Sequence, residues 1–345
     1  MSVFRRKEQQ STDPRAAIGR FWEWWDGHRD AVVAAADARD SERVTALLRP
    51  AVAQLDPSLT WEVRPGQDAR YALVVSGGGR PELRSLAERW YLAAPEADSD
   101  IEYAPARRRD PRVFGSTLNI DDYDVPLDEL VAGTRLDQRR MRLDLVIHHP
   151  LFPLLDQESR VRVAYLGLDA ALGEDDVERW LGTVEISAHP PVDPVPVSSL
   201  AAVVDQLRPP GDQWVVLKGS GPRGTILATV RRPFTRSDRP LCDTRVVATL
   251  SYPTGTDGLP ADEAVNTALQ DLGQRMLSKL GGEGPHAVLV GHELAGGRAR
   301  VHLYVDGLAV DPKAAKPALA EWEYGSAKLR FGPDPAWRGV GHLLG

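Results

Sequence analysis

The sequence predicts an α+β protein of two domains, each a largely antiparallel sheet with helices packed on it. Three observations carry that prediction. The chain has 345 residues, 42% of them hydrophobic, which is enough to bury two cores. A proline-dense stretch at 188–197 (AHPPVDPVPV) has the extended character of a linker. The segment 254–306 reads as turn, amphipathic helix, strand, tight turn and strand. The expected organisation is a flexible lead at 1–14, an N-terminal domain at 15–195 and a C-terminal domain at 196–345.

The elements follow in order. A helix begins near Arg15 and carries Phe21-Trp22-Glu23-Trp24-Trp25, with Phe21, Trp24 and Trp25 on one face by the i, i+3, i+4 rule. Gly27-His28 reads as a break. A second helix over 31–55, interrupted near Asp40-Ser41, has Val44, Leu48 and Val52 on its apolar stripe. LTWEVR (59–64) and YALVVS (71–76) alternate like paired strands about a turn. Ser76-Gly77-Gly78-Gly79 then leads into a helix over 81–94. It matches neither phosphate-loop fingerprint, and a strand-to-helix turn with a positive φ accounts for it better. Further strands are predicted at 101–103, 141–148, 160–165 and 180–187, a short helix at 126–131 and a helical turn at 167–176.

Beyond the linker, Ser198-Ser199 can cap a helix over 200–207. Strands follow at 213–217, 225–230 and 244–251. Ala264, Leu269, Leu272, Met276 and Leu280 recur at helical spacing until Gly281-Gly282 stops the helix. Strands at 288–293, 300–305 and 323–331 come next, and Asp334-Pro335-Ala336-Trp337 opens a terminal helix. The order β-β-β-α-β-β-β-α suits a helix lying across a largely antiparallel sheet.

Forty-two basic residues against 49 acidic ones give a net charge of −7. That balance argues against a general binder of nucleic acid or anionic membranes. The cations are mostly arginine, as expected of a GC-rich bacterial coding bias. Cys242 is the only cysteine, which excludes an intrachain disulfide and a cysteine-rich zinc cluster. No apolar run approaches the ~20 residues that span a bilayer, and residues 1–14 lack a signal peptide's apolar region. A cytoplasmic protein is expected.

The Asp257-Gly258-Leu259-Pro260 turn, Glu263-Ala264, Val290-Gly291, Gly297-Arg298 and the Tyr304 strand resemble a bacterial domain-of-unknown-function family, number 695. Trp214 and the Asp334-Pro335-Ala336-Trp337 segment are similar to it as well, and the likeness covers about residues 211–345. After the second glycine this chain has Val301-His302-Leu303-Tyr304, where only Tyr304 matches well. Members are sometimes fused to a domain similar to the subunit-B type of the regulator of ribonuclease activity, which implies a regulatory or binding role. The first half resembles uncharacterised bacterial proteins through Phe21-Trp22-Glu23-Trp24-Trp25, Ala93-Ala94-Pro95-Glu96 and Leu172-Gly173-Glu174. Neither resemblance brings catalytic residues.

Candidate binding residues are the aromatics Trp22, Trp24, Trp25 and Trp337, and the basic run Arg107, Arg108 and Arg109 with Arg112 nearby. Rings can form a partner surface or seal a helix onto its domain, and their exposure decides between the two. Asp110 and the run Asp121, Asp122 and Asp124 can neutralise the arginines. His148-His149 invites a metal, but neighbouring residues on a strand face opposite ways, and Asp144 with His148 falls short of a ligand set. His292 with Glu293 is the other acid–base pair. Ser76 lacks the Gly-x-Ser-x-Gly frame, and Cys242 reads as a half-buried core residue. No catalytic residue, metal or cofactor is assigned. The expected function is a non-catalytic protein-binding or regulatory module, its partner another protein, with no membrane association. The alternatives are a regulator of RNA metabolism, by family association and the Arg107 loop, and a hydrolase with an unrecognised active site.

Overall fold

The computed structural model describes residues 13–120, 122–208, 211, 213–222 and 224–344. Residues 1–12 of the lead expected at 1–14, and Asp121, lie outside these residues, while Asp13 and Pro14 already form the start of a helix. The fold is α+β, with mostly antiparallel sheets and helices packed on them. The chain divides into two compact units, Met1–Ala106 and Arg107–Gly345. The boundary expected at 195/196 falls inside the second unit.

In the first unit, α1 (Pro14–Asp37) and α2 (Ser41–Leu55) precede β1 (Thr60–Pro65) and β2 (Tyr71–Ser76); α3 (Arg84–Leu92) then leads to β3 (Ile101–Ala104). The sheet order is β1-β2-β3, with β1 antiparallel and β3 parallel to β2. The break expected at Gly27-His28 does not occur, since α1 runs unbroken through it. Asp13 and Asp40 cap the two helices by accepting from the N–H groups of Arg15 and Arg43. The triple-glycine turn is conformational: Gly78 and Gly79 have φ of 56° and 77°, and the Ser76 hydroxyl accepts from the Gly78 N–H. The buried Glu102 carboxylate accepts from the N–H groups of Gln67, Asp68 and Ala69, which closes the β1–β2 turn.

The second unit opens with β4 (Thr117–Ile120), β5 (Tyr123–Pro126), β6 (Val131–Asp137) and β7 (Arg142–His148). Then come α4 (Gln157–Trp180), β8 (Leu181–Ile186), β9 (Val195–Pro196) and α5 (Leu200–Leu207). β7 and β8 are parallel, with α4 as the crossover. The strand expected at 160–165 is therefore wrong: those residues are helical. The Arg160-Val161-Arg162-Val163 alternation imitates a strand, but Val163, Ala164, Gly167, Leu168 and Leu172 bury one helical face. Helix α4 is interrupted at Gly173 (φ 74°), where an added Cβ would meet the Arg107 carbonyl oxygen at 2.9 Å.

The chain continues through β10 (Gln213–Gly221), β11 (Gly224–Arg232), β12 (Thr244–Ser251), α6 (Glu263–Lys279), β13 (Ala287–Ala295) and β14 (Arg298–Val305). It ends with α7 (Lys316–Leu319), β15 (Ala327–Pro333) and α8 (Gly341–Leu344). The six strands form one sheet in the order β10-β11-β13-β14-β12-β15, every neighbour antiparallel. Helix α6 lies on one face, where Leu269, Leu272 and Met276 meet Val246, Leu289 and Val301. On the other face Phe234, Tyr304, Trp337 and Val340 cover only part of the sheet. Ion pairs Arg179–Asp238 and Arg236–Glu178 tie the end of α4 to the turn after β11.

Candidate functional site

The uncovered part of that second face holds the candidate site. Directly opposite residues in a sheet share a face, so the strand register locates the side chains. His302 of β14 stands opposite Gly291 of β13 and Val247 of β12, and Val247 stands opposite Arg330 of β15. In the next row Glu293, Arg300, Thr249 and Lys328 line up across the same four strands. Arg245 stands opposite Tyr304 on one side and Gly332 on the other. A 620 Å³ cavity opens over these rows, walled by Arg245, Thr249, Glu293, Arg300, Arg330 and, from the last turns, His342.

Glu293 is the hub. Its Oε1 accepts from Arg300 Nη1 at 3.0 Å and from His302 Nε2 at 3.2 Å, and its Oε2 lies 3.3 Å from His342 Nε2. The hydrogen bond from His302, with those from Arg300 and His342, outweighs burial and holds the carboxyl well below the usual carboxylate range. His302 is fully buried, and Arg245 Nη2 lies 3.0 Å from its Nδ1. A guanidinium can only donate, so Nδ1 is the acceptor and Nε2–H donates to Glu293. Burial lowers the pKa of His302 despite the carboxylate beside it, so the ring is neutral with both nitrogens engaged. The guanidinium of Arg245 lies under Gly339, where an added Cβ would meet its Nη1 at 2.3 Å; its Nε is buried with no hydrogen-bond partner.

Asp334 organises the wall. Its Oδ2 accepts from the Tyr304 hydroxyl at 2.6 Å and from the Gly339 N–H at 2.8 Å, and its Oδ1 from the Arg338 N–H at 2.9 Å. Burial, then the Asp334 carboxylate, pushes the Tyr304 hydroxyl far above its ordinary pKa. Trp337 stacks on Tyr304 with ring centroids 4.3 Å apart and donates its indole N–H to the Cys242 carbonyl. It adopts a left-handed backbone, φ 51°, so the helix expected from Asp334 does not start there.

The residues singled out from sequence lie elsewhere or act structurally. Trp25 and Trp337 are 1% and 3% exposed. Trp25 donates to the Tyr103 hydroxyl, and Trp22 stacks on Trp90 and donates to its carbonyl. Trp22 and Trp24 are partly buried against the same core. Arg107 pairs with Asp169 and Glu174, Arg109 with Asp176 and Asp205, and Arg112 with Asp110. Apart from Asp110, these carboxylates come from α4 and α5, and Asp121 of the expected acidic run lies outside the described residues. Arg108 is in the same loop.

His149 is wholly buried, with Nε2 2.8 Å from the Pro126 carbonyl, and His148 Nδ1 lies 3.1 Å from the Ser187 carbonyl. Asp144 pairs with Arg135 and accepts from the Thr183 N–H. The candidate His292–Glu293 couple does not form. His292 stands opposite Val301, on the other face, where burial and then the nearby His302 push its pKa down to about 4. Sequence reading found Glu293 but missed His302, Arg245, Arg300 and Arg330. Their signal was polar residues alternating with a buried stripe on β12, β14 and β15. No protein-family model, curated protein or solved structure matches this chain.

Proposed function

We propose that this chain is a non-catalytic binding module, with a regulatory role, and that its ligand site is the cleft over β12–β15. The observation that carries the reading is a 620 Å³ cavity whose acid–base groups are already committed to one another. A general base works best with a pKa near the working pH. Glu293 is held far below that, and His302 has no free ring nitrogen. Glu293, His302 and Asp334 shape and orient the cleft, while its arginines face a guest. The cleft lies within residues 211–345, the part that resembles family 695, and we assign that part to the family on the motifs quoted above.

The test is retention from a fractionated metabolite extract. The purified chain is incubated with fractions and gel-filtered, and the bound and free molecules are identified by mass spectrometry. We expect a compound retained mole for mole and chemically unchanged. Time-dependent conversion of any compound, abolished by Glu293→Gln, would overturn the binding reading in favour of a hydrolase.

A further inference from the structure

The cleft face carries more cations than carboxylates. On this face of β12, β14 and β15 the register places Arg245, Arg298, Arg300, Lys328 and Arg330. β13 contributes one carboxylate, Glu293, and Asp334 follows β15. Both carboxylates are already engaged: Glu293 by Arg300, His302 and His342, and Asp334 by Tyr304 and two backbone N–H groups. They have little capacity left for the remaining guanidinium donors. The side chains of Arg298, Lys328 and Arg330 make no hydrogen bond or ion pair among the described residues. Arg245 leaves its buried Nε unpaired. Arg245, Arg300 and Arg330 wall one concave site on a chain of net charge −7, and guanidinium donors gathered in this way call for an anion.

We propose that the cleft binds a small phosphate monoester, its phosphoryl group seated among Arg245, Arg300 and Arg330 beside the Thr249 hydroxyl. This rests on the binding reading above and names the ligand class. A monocarboxylate brings a single charge and two acceptor oxygens. A phosphate monoester brings about −1.5 to −2 at neutral pH and three strong acceptors, which match three guanidinium groups. The cavity leaves room for the organic part. Single-stranded RNA would instead need exposed rings on this face for its bases to stack on. Tyr304 and Trp337 are buried. Phe331 is exposed but stands opposite Val246, whose side chain faces α6.

Calorimetric titration of the full chain tests this with ribose 5-phosphate and inorganic phosphate, and with succinate and a single-stranded RNA 12-mer as contrasts. Ribose 5-phosphate should bind saturably and more tightly than succinate or RNA. Arg330→Gln should weaken it by about tenfold, the loss of one charge-assisted contact, with an unchanged melting temperature. Arg300→Gln should weaken it at least as much. The class is overturned if neither phosphate probe binds, if succinate or RNA binds more tightly, or if both variants bind like the parent. A neutral compound retained unchanged from the extract would remove the phosphate class and leave the binding reading standing. Conversion of a retained compound would remove the binding reading instead.

Discussion

The aromatic cluster of α1 and the cationic face of the C-terminal sheet are built on opposite plans. Phe21, Trp22, Trp24 and Trp25 are packed into five consecutive positions, and they are core: Phe21 and Trp25 lie against Trp90 and Tyr103 in one aromatic cluster. Arg245, Arg300 and Arg330 are far apart in the chain and share one cavity. The dense sequence feature is structural and the sparse one forms the candidate site. A run of like residues along a helix must face several directions at once. A sheet, by contrast, gathers residues from several strands onto one surface.

The largest expected effect lies in the aromatic cluster. Trp25→Ala removes a nearly fully buried ring and the indole donor to Tyr103. It should cost about 3–5 kcal/mol of stability, read by urea unfolding. A cost near zero would mean that the cluster is not core and would reopen it as a surface.

The C-terminal sheet should respond to pH through His292 and His302. His292 titrates at about 4 when folded, against an ordinary 6.5. Between those values the unfolded chain binds more protons, so stability falls as the pH is lowered. From about pH 7 to pH 5 the expected loss is about 2 kcal/mol. His302, also lowered, acts in the same direction. Glu293, held down, keeps its contribution through this window and loses it only as the pH falls below the ordinary carboxylate range towards its folded pKa. The check is urea unfolding at both pH values, with His292→Gln expected to flatten the slope. A parent slope as flat as the variant's would contradict this assignment.

The smallest effect belongs to the Arg107 loop. Arg109 pairs with partly buried Asp176 and exposed Asp205, and Asp176 keeps its pair with Arg208, so Arg109→Ala should change stability by only about 1 kcal/mol. It should also leave ribose 5-phosphate binding untouched. Lost binding would move the anion site to this loop.

Much of the architecture was legible because its periods are local. The spacing from Ala264 to Leu280, the Gly296-Gly297 turn and the alternation of Val301, Leu303 and Val305 each declare their element within a few residues. Residues 160–165 misled because a short polar–apolar alternation on a helix surface imitates a strand. The site was not legible for a different reason. Pairing Glu293 with the adjacent His292 overlooks the alternation of a strand, which turns neighbours to opposite faces. Finding His302 instead requires knowing that Gly291 and Glu293 lie beside β14 in a register shifted after Leu289. Local sequence does not carry that pairing.

The sheet order has a kinetic consequence. β12 is made before α6, β13 and β14, yet it lies between β14 and β15. Arg245, Val247 and Thr249 therefore have no neighbours on either side until strands far downstream have been made and docked. Long-range pairings of this kind form late because chain entropy is lost before contacts repay it. The cleft is thus absent until β12, β13, β14 and β15 have docked, so under the proposed binding reading ligand capture would report that these strands are in place.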